Sequence, residues 1–154
     1  MTSFQHEQRR IRDHEIHVVT SGNPGGTPYV LLHGWPESWS SWHDVMAAAG
    51  DDARCIAIDL PGIGESHGAV ASGAKRAIAE IVHELLGELG LGRDTTLVGH
   101  DAGGMVAYAY LRAFDDVARV VIVNTVIPGV APWDEVIRRP DIFHFAFHQV
   151  PHLP

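Results

Sequence analysis

The sequence predicts an α/β protein in which a mostly parallel sheet is covered by helices on both faces. Short, continuous apolar runs are typical of strands buried on both faces, and they alternate along the chain with segments of helical periodicity. This alternation indicates strand–helix–strand units, whose crossover helices pack on the sheet. Ligands bind such sheets beyond the carboxyl ends of the strands, so the residues that follow each strand are the first candidates for a site.

Five segments have the composition of strands. The first mixes polar and apolar positions and ends in Ser-Gly, which predicts an early strand that is partly exposed. The others are dominated by apolar residues, as expected for strands covered on both faces. The predicted strands are 15–22, 29–34, 53–60, 95–100 and 118–125.

Three segments have the spacing of helices. The first begins at Ser38, a suitable N-cap, and stops at Gly50, while the second is closed by Gly90 and Gly92. The third covers residues 102–114. One face of the first helix is expected to carry Trp42, Val45, Met46 and Ala49, and one face of the second Ile78, Ile81, Val82, Leu85, Leu86 and Leu89.

The composition bounds the class of protein. At 154 residues with 45% hydrophobic content, the chain has the size of one globular domain. Its formal net charge of −8 disfavours nucleic acid and anionic membranes as partners, because both bind basic surfaces. The single cysteine, Cys55, excludes a disulfide within the chain and is expected to be a buried thiol. With no signal-peptide core and no apolar run of membrane-spanning length, we expect a soluble, cytoplasmic protein.

The pattern changes after residues 127–129, where prolines interrupt it and an aromatic stretch follows at 141–154. That stretch needs a surface on which to pack. Strand 118–125 would be an unprotected apolar edge if the sheet ended there. We therefore expect residues 1–154 to be the first part of a longer protein, completed by the rest of the same protein or by a complementary chain.

The stretch "VGHDAGGM", residues 98–105, has the glycine spacing of a nucleophile elbow. Gly99 and Gly103 flank Asp101 at the junction between a predicted strand and a predicted helix, where the chain turns sharply and exposes the middle side chain. The start of a helix favours an anion, so a carboxylate suits the position. The alternative is a structural role for Asp101, as the N-cap of the helix.

A second motif, "HGWPE" at residues 33–37, follows the predicted strand 29–34. An oxyanion hole needs two backbone donors, one from the residue after the nucleophile and one from a loop that follows an earlier strand. The N–H groups of Ala102 and Trp35 occupy these two positions. The two motifs together favour catalysis over a pair of unrelated turns.

These residues, with "DLPGIGES" (59–66), resemble the α/β-hydrolase fold from about residue 11 to the end of the chain. The pair His-Gly-x-Pro and Gly-His-Asp-x-Gly-Gly is similar to the epoxide hydrolase branch, which also includes dehalogenases. The resemblance implies a hydrolase core over residues 1–128 and the start of a helical cap over 129–154, where the chain is truncated. It also implies that a late histidine base, its acid and the cap tyrosines lie beyond this chain, since Asn124 and Thr125 cannot act as the acid.

A carboxylate nucleophile suits displacement at saturated carbon. A serine that attacked such a carbon would form an ether, which water cannot readily hydrolyse, whereas a carboxylate forms an ester, which water can open. Together with this chemistry, the resemblance implies epoxide hydrolysis through a covalent ester on Asp101 as the expected function. Trp35 and Ala102 would stabilise the oxyanion that forms when water attacks the ester. The expected partners are water and a small, largely neutral organic substrate, and no cofactor is expected.

Two alternatives stay open. A dehalogenase of the same branch would share the nucleophile, but Trp35 and Ala102 stand where such enzymes carry halide donors. Ala102 and Met105 also offer no cation to an acidic substrate. A non-catalytic binding module is the second alternative, because fold alone does not fix function and no histidine of the chain lies in a matching late position.

Four further residues are candidates for substrate binding: His33, Pro36, His144 and His148. His33 also suits a role in shaping the loop beside the nucleophile, as does His100. His144 and His148 lie four residues apart, and in similar proteins the position of His144 points a polar residue into the pocket. We expect no metal site there, because no third ligand is evident.

Overall fold

The computed structural model describes residues 3–68 and 73–142, which form one six-stranded sheet with helices against it. The strands, in chain order, are β1 Gln5–Ile11, β2 His14–Gly22, β3 Thr27–Leu32, β4 Ala53–Ile58, β5 Thr96–His100 and β6 Arg119–Val123. The helices are α1 His43–Ala48, α2 Lys75–Glu88, α3 Ala102–Leu111 and α4 Trp133–Val136, and 3-10 turns cover Trp39–Trp42 and Pro140–Ile142.

The sheet has the order β1-β2-β4-β3-β5-β6 and is parallel from β4 to β6, as predicted. Only β2 departs from this, because it runs antiparallel to both β1 and β4. Leu32 pairs with Ile58 on one side and with Gly99 on the other. The loops after β3, β4 and β5 therefore leave the sheet at the same edge, which brings the candidate motifs together.

Strand β1 was not predicted, because residues 5–11 are mainly polar. It pairs with β2 along its whole length, from Gln5 opposite Thr20 to Ile11 opposite His14. Since β1 takes the edge of the sheet, β2 lies inside it and residues 16–19 are at most 2% exposed. The centre of β2 is therefore buried, and the predicted partial exposure is limited to Glu15, Thr20 and Gly22.

The first predicted helix is divided in two. Ser38 is an N-cap as predicted, and its hydroxyl accepts from the N–H of Ser40, but it begins a 3-10 turn. The α-helical part covers only α1, so the helical phase differs from that of a continuous α-helix. As a result Met46 is buried while Val45 is 53% exposed, and the prediction that Val45 shares the buried face was wrong.

Helices α2 and α3 pack on one face of the sheet and α1 packs on the other, which confirms the predicted layers. The predicted face of α2 is buried, except that Leu89 is the partly buried C-cap. The prediction for Cys55 is also confirmed, since the side chain is 3% exposed and burial raises the pKa of its thiol. The proposed boundary between a core at 1–128 and a cap at 129–154 stays a prediction.

Candidate active site

Asp101 lies between the last residue of β5 and the first residue of α3, with φ of +47° and ψ of −114°. This left-handed region is sparsely populated by residues other than glycine, so the surrounding structure must hold the conformation. The side chain makes no capping hydrogen bond to α3, which does not fit the structural alternative of an N-cap. Asp101 instead has the strained conformation typical of a nucleophile elbow, with a side chain that is partly buried.

The glycines around Asp101 allow close backbone approach. A Cβ atom on Gly103 would lie within 2.6 Å of the His33 carbonyl oxygen, so α3 could not come this close to β3 with a larger residue. Gly34, in the loop after β3, likewise has no room for a side chain. A Cβ there would lie 2.8 Å from the Asp101 Cβ and 2.9 Å from the His100 Nδ1. The two predicted motifs thus pack directly against each other.

The backbone of Trp35 contacts the candidate nucleophile. Its N–H donates to Asp101 Oδ2 at 2.9 Å, while its side chain is 56% exposed beside the site. Ala102 is the first residue of α3, and the first N–H groups of a helix have no acceptor within the helix. Of the two backbone donors predicted from the sequence, Trp35 N–H therefore contacts the Asp101 carboxylate, and the role of Ala102 N–H stays a prediction.

His33 is fully buried and both nitrogens of its ring contact the backbone. Leu60 N–H donates to His33 Nε2 at 2.9 Å, which leaves Nδ1 to donate to the Gly34 carbonyl at 2.7 Å. This geometry favours the loop-shaping role over substrate binding. Pro36 is exposed and lines a surface depression together with Ser40 and Gly64. Asp101 is not among the residues that line this depression.

Glu37 is a site residue to which the sequence reasoning gave no role. Its Oε2 accepts from Gly34 N–H at 2.9 Å and lies 3.2 Å from His100 Nδ1. The carboxylate and the imidazole are each about one third exposed, directly behind Asp101. His100 thus has the loop-shaping contact expected of it, and its partner was already visible as the last residue of "HGWPE".

Asp59 holds the neighbouring loops in place and was likewise missed. It is 1% exposed and its carboxylate accepts from Trp39 N–H at 2.7 Å and from Glu65 N–H at 2.9 Å. Its Oδ2 also lies 2.9 Å from Nδ1 of the buried His17. A buried carboxylate is stable only when its lone pairs are satisfied, and here three partners do so. The loop that carries Trp35 is thereby tied to β2 and β4.

His144 and His148 lie outside the described residues. Within the described ranges, no three His, Cys, Asp or Glu side chains are grouped to hold a metal ion. Across those same residues, none of the helices combines the length and the apolar character needed to cross a membrane.

A mostly parallel sheet with a strained elbow between a strand and a helix defines the class of α/β hydrolases. Residues 27–149 match the family model described as alpha/beta hydrolase fold. The chain belongs to this family.

Within this family, the chain is similar to three proteins of known name or structure. The soluble epoxide hydrolase of Corynebacterium sp. (strain C12) is 37% identical over 84% of this chain and 44% of its own length. The crystal structure of Cfl2 from Burkholderia cenocepacia has a TM-score of 0.86 and 32% identity over 98% of this chain and 53% of that one. The epoxide hydrolase CorEH has a TM-score of 0.78 and 33% identity over 95% of this chain and 50% of that one. The chain therefore spans about half the length of these proteins.

Proposed function

We propose that the intact protein containing this chain is an epoxide hydrolase that acts through a covalent ester on Asp101. The observation that carries the proposal is the contact between Trp35 N–H and Asp101 Oδ2 at a strained elbow. A carboxylate used only as a cap would turn toward α3, whereas this one accepts from the loop after β3. Two relatives named above are epoxide hydrolases, which supports the same chemistry.

In the first step, the Asp101 oxygen that Trp35 does not hold attacks an epoxide carbon. The bond between that carbon and the ring oxygen breaks, and the ring oxygen takes a proton, for which the resemblance implies cap tyrosines. The product is an ester between Asp101 and the opened substrate. This step needs a small, largely neutral organic substrate that can reach the carboxyl edge of the sheet.

In the second step, water attacks the carboxyl carbon of Asp101 and gives its proton to a histidine base that the rest of the protein supplies. Negative charge develops on the Asp101 oxygen that faces Trp35, and the N–H groups of Trp35 and Ala102 stabilise it. When this intermediate collapses, the bond between the carboxyl carbon and the alkoxide oxygen breaks, and the alkoxide takes the proton from the histidine to form the diol. The remaining proton of the attacking water returns to the tyrosine that protonated the ring oxygen. This restores the Asp101 carboxylate, with one oxygen derived from water. Loss of one such donor costs about 2.7–4 kcal/mol of barrier in comparable sites.

The oxygen balance gives a direct test. Repeated turnover of an aromatic epoxide in ¹⁸O-labelled water should place label in the Asp101 carboxylate, as measured by peptide mass spectrometry. Active protein that acquires no label there would exclude the ester. Protein that binds the epoxide without turnover would support the alternative of a binding module.

Asp101→Asn provides the second arm of the test. We expect turnover to be abolished and stability to be nearly unchanged, because the amide keeps the shape of the side chain and loses the attacking charge. Asp94→Asn, at an exposed position away from the site, is the matched control and should keep full activity. The mass of the Asp101→Asn variant must be verified in fresh protein, because deamidation of the new amide restores the carboxylate. Full activity in a verified variant would exclude Asp101 as the nucleophile.

A further inference from the structure

Two strained residues face each other at the ends of β5 and β6. His100 and Val123 are the last pair of these strands, and the residue after each of them is a non-glycine with φ of +47°. These residues are Asp101 and Asn124. Such conformations persist only where neighbouring contacts hold them. The backbone conformation of Asp101 therefore depends on the contacts that neighbouring residues make with it.

The segment after β6 supplies these contacts. Asp101 N–H donates to the Val123 carbonyl at 3.2 Å. The hydroxyl of Thr125 lies 3.0 Å from the Asp101 carbonyl oxygen and 2.9 Å from the Val123 carbonyl oxygen. A hydroxyl has one proton and can donate to either oxygen. Thr125 is thus within hydrogen-bonding distance of two carbonyl groups, that of Asp101 and that of Val123, the residue whose carbonyl accepts from Asp101 N–H.

Helix α3 has room for this hydroxyl only because residue 104 is a glycine. A Cβ atom on Gly104 would collide with the Oγ1 atom of Thr125 and lie 2.8 Å from its Cβ. The Asp101 carbonyl also accepts from Met105 N–H at 3.2 Å, the first hydrogen bond of the helix. Thr125 therefore contacts both the turn of the elbow and the first turn of α3.

We infer that Thr125 is a positioning residue, whose hydroxyl holds the Asp101 backbone so that the carboxylate faces the substrate. This inference rests on the proposed function, since it assigns Thr125 a part in ester formation. Thr125 does not touch the Asp101 carboxylate and acts through the backbone. Its loss is therefore expected to slow the chemical step and to leave substrate binding unchanged.

The test compares Thr125→Val with Thr125→Ser in the intact protein. Valine keeps the shape and removes the hydroxyl, whereas serine keeps the hydroxyl and removes the methyl group. Single-turnover ester formation with an aromatic epoxide should be about tenfold slower in the valine variant, as expected for loss of one ordinary hydrogen bond. The serine variant should stay within about twofold of the wild type. The substrate dissociation constant, taken from the concentration dependence of the single-turnover rate, should be unchanged in both variants.

Equal rates in the wild type and the valine variant would overturn the inference, as would equally slow valine and serine variants. Hydrogen exchange at the Asp101 amide provides a readout that does not depend on chemistry. Exchange should be faster in the valine variant and normal in the serine variant, and unchanged exchange in the valine variant would also overturn the inference. A wild-type protein that forms no ester would refute the proposed function and with it the part of Thr125 in ester formation, whereas hydrogen exchange would still report whether Thr125 holds the Asp101 backbone.

Discussion

At the scale of single residues, the two helices α2 and α3 contain glycines with opposite roles. Gly87 in α2 has no atom within 4 Å of the place where a Cβ would stand. Gly104 in α3 faces the Thr125 side chain at collision distance. The first glycine only lowers helix propensity, whereas the second leaves space for a neighbour.

We predict that Gly104→Ala and Gly87→Ala change stability in opposite directions. Gly104→Ala should destabilise the protein by about 1–3 kcal/mol, because the methyl group overpacks the contact with Thr125. Gly87→Ala should stabilise it by about 0.5–1 kcal/mol through helix propensity alone. Chemical unfolding of both variants measures the difference. A stabilising Gly104→Ala would show that Thr125 moves away at no cost.

Site residues were predictable from the sequence where a short motif follows a strand. Asp101 and Trp35 meet this condition, and the structure brings them together. The contacts of Glu37 and Thr125 were not predictable, although Glu37 belongs to a motif, because both contacts form only when β5 lies between β3 and β6. Such pairings depend on the strand order, which the alternation of elements does not specify.

At the scale of elements, the contact between α2 and α3 has a buried phenol at its centre. Tyr110 in α3 is fully buried, and its hydroxyl donates to Asp116 Oδ1 at 2.8 Å. His83 in α2 lies 3.0 Å from the other oxygen of Asp116 and stacks on Phe114. Burial, together with the carboxylate of Asp116, raises the pKa of Tyr110 well above its usual value.

This raised pKa predicts a loss of stability in alkali. Tyr110 keeps its proton in the folded state while an unfolded tyrosine ionises near pH 10, so its contribution is complete below about pH 10 and falls as the pH rises further. Tyr110→Phe should therefore flatten the decline in the free energy of unfolding above that pH. Tyr108→Phe, at a partly exposed position in α3, is the control and should keep the decline. An identical alkaline decline in all three proteins would contradict the assignment.

Among the elements, the apolar strands and α2 were predictable because their periodicity matches their burial. Strand β1 was not, since an edge strand with one exposed face needs few apolar residues, and 5–11 contains one, Ile11. The division of the first helix was also hidden, because a 3-10 turn and an α-helix share the same capping signal at Ser38.

At the scale of the whole molecule, the sheet has an apolar strand at one end. Among the residues that the structure describes, β6 pairs with β5 alone, and Val121, Ile122 and Val123 are 41%, 37% and 41% exposed. An unpaired apolar strand is a site for pairing with another chain. The opposite end of the sheet, β1, carries mainly polar side chains and lacks this property.

We predict that residues 1–154 expressed alone associate with one another. The exposed β6 strand should pair between copies, so the apparent mass in sedimentation should rise with concentration. Replacing Ile122 with Lys should reduce this association, whereas Gln8→Lys on the exposed face of β1 should not change it. A monodisperse monomer that unfolds cooperatively would contradict the prediction.

The contacts of Asp101 also imply an order of events as the chain folds. Its bond to Trp35 joins residues 66 positions apart, and its bond to Thr125 joins residues 24 apart in the other direction. Closing such long loops is slow compared with forming a helix or a turn. We expect the elbow to reach its strained geometry only after β6 has docked, so a nascent chain released before residue 125 would carry the nucleophile without the contacts that aim it.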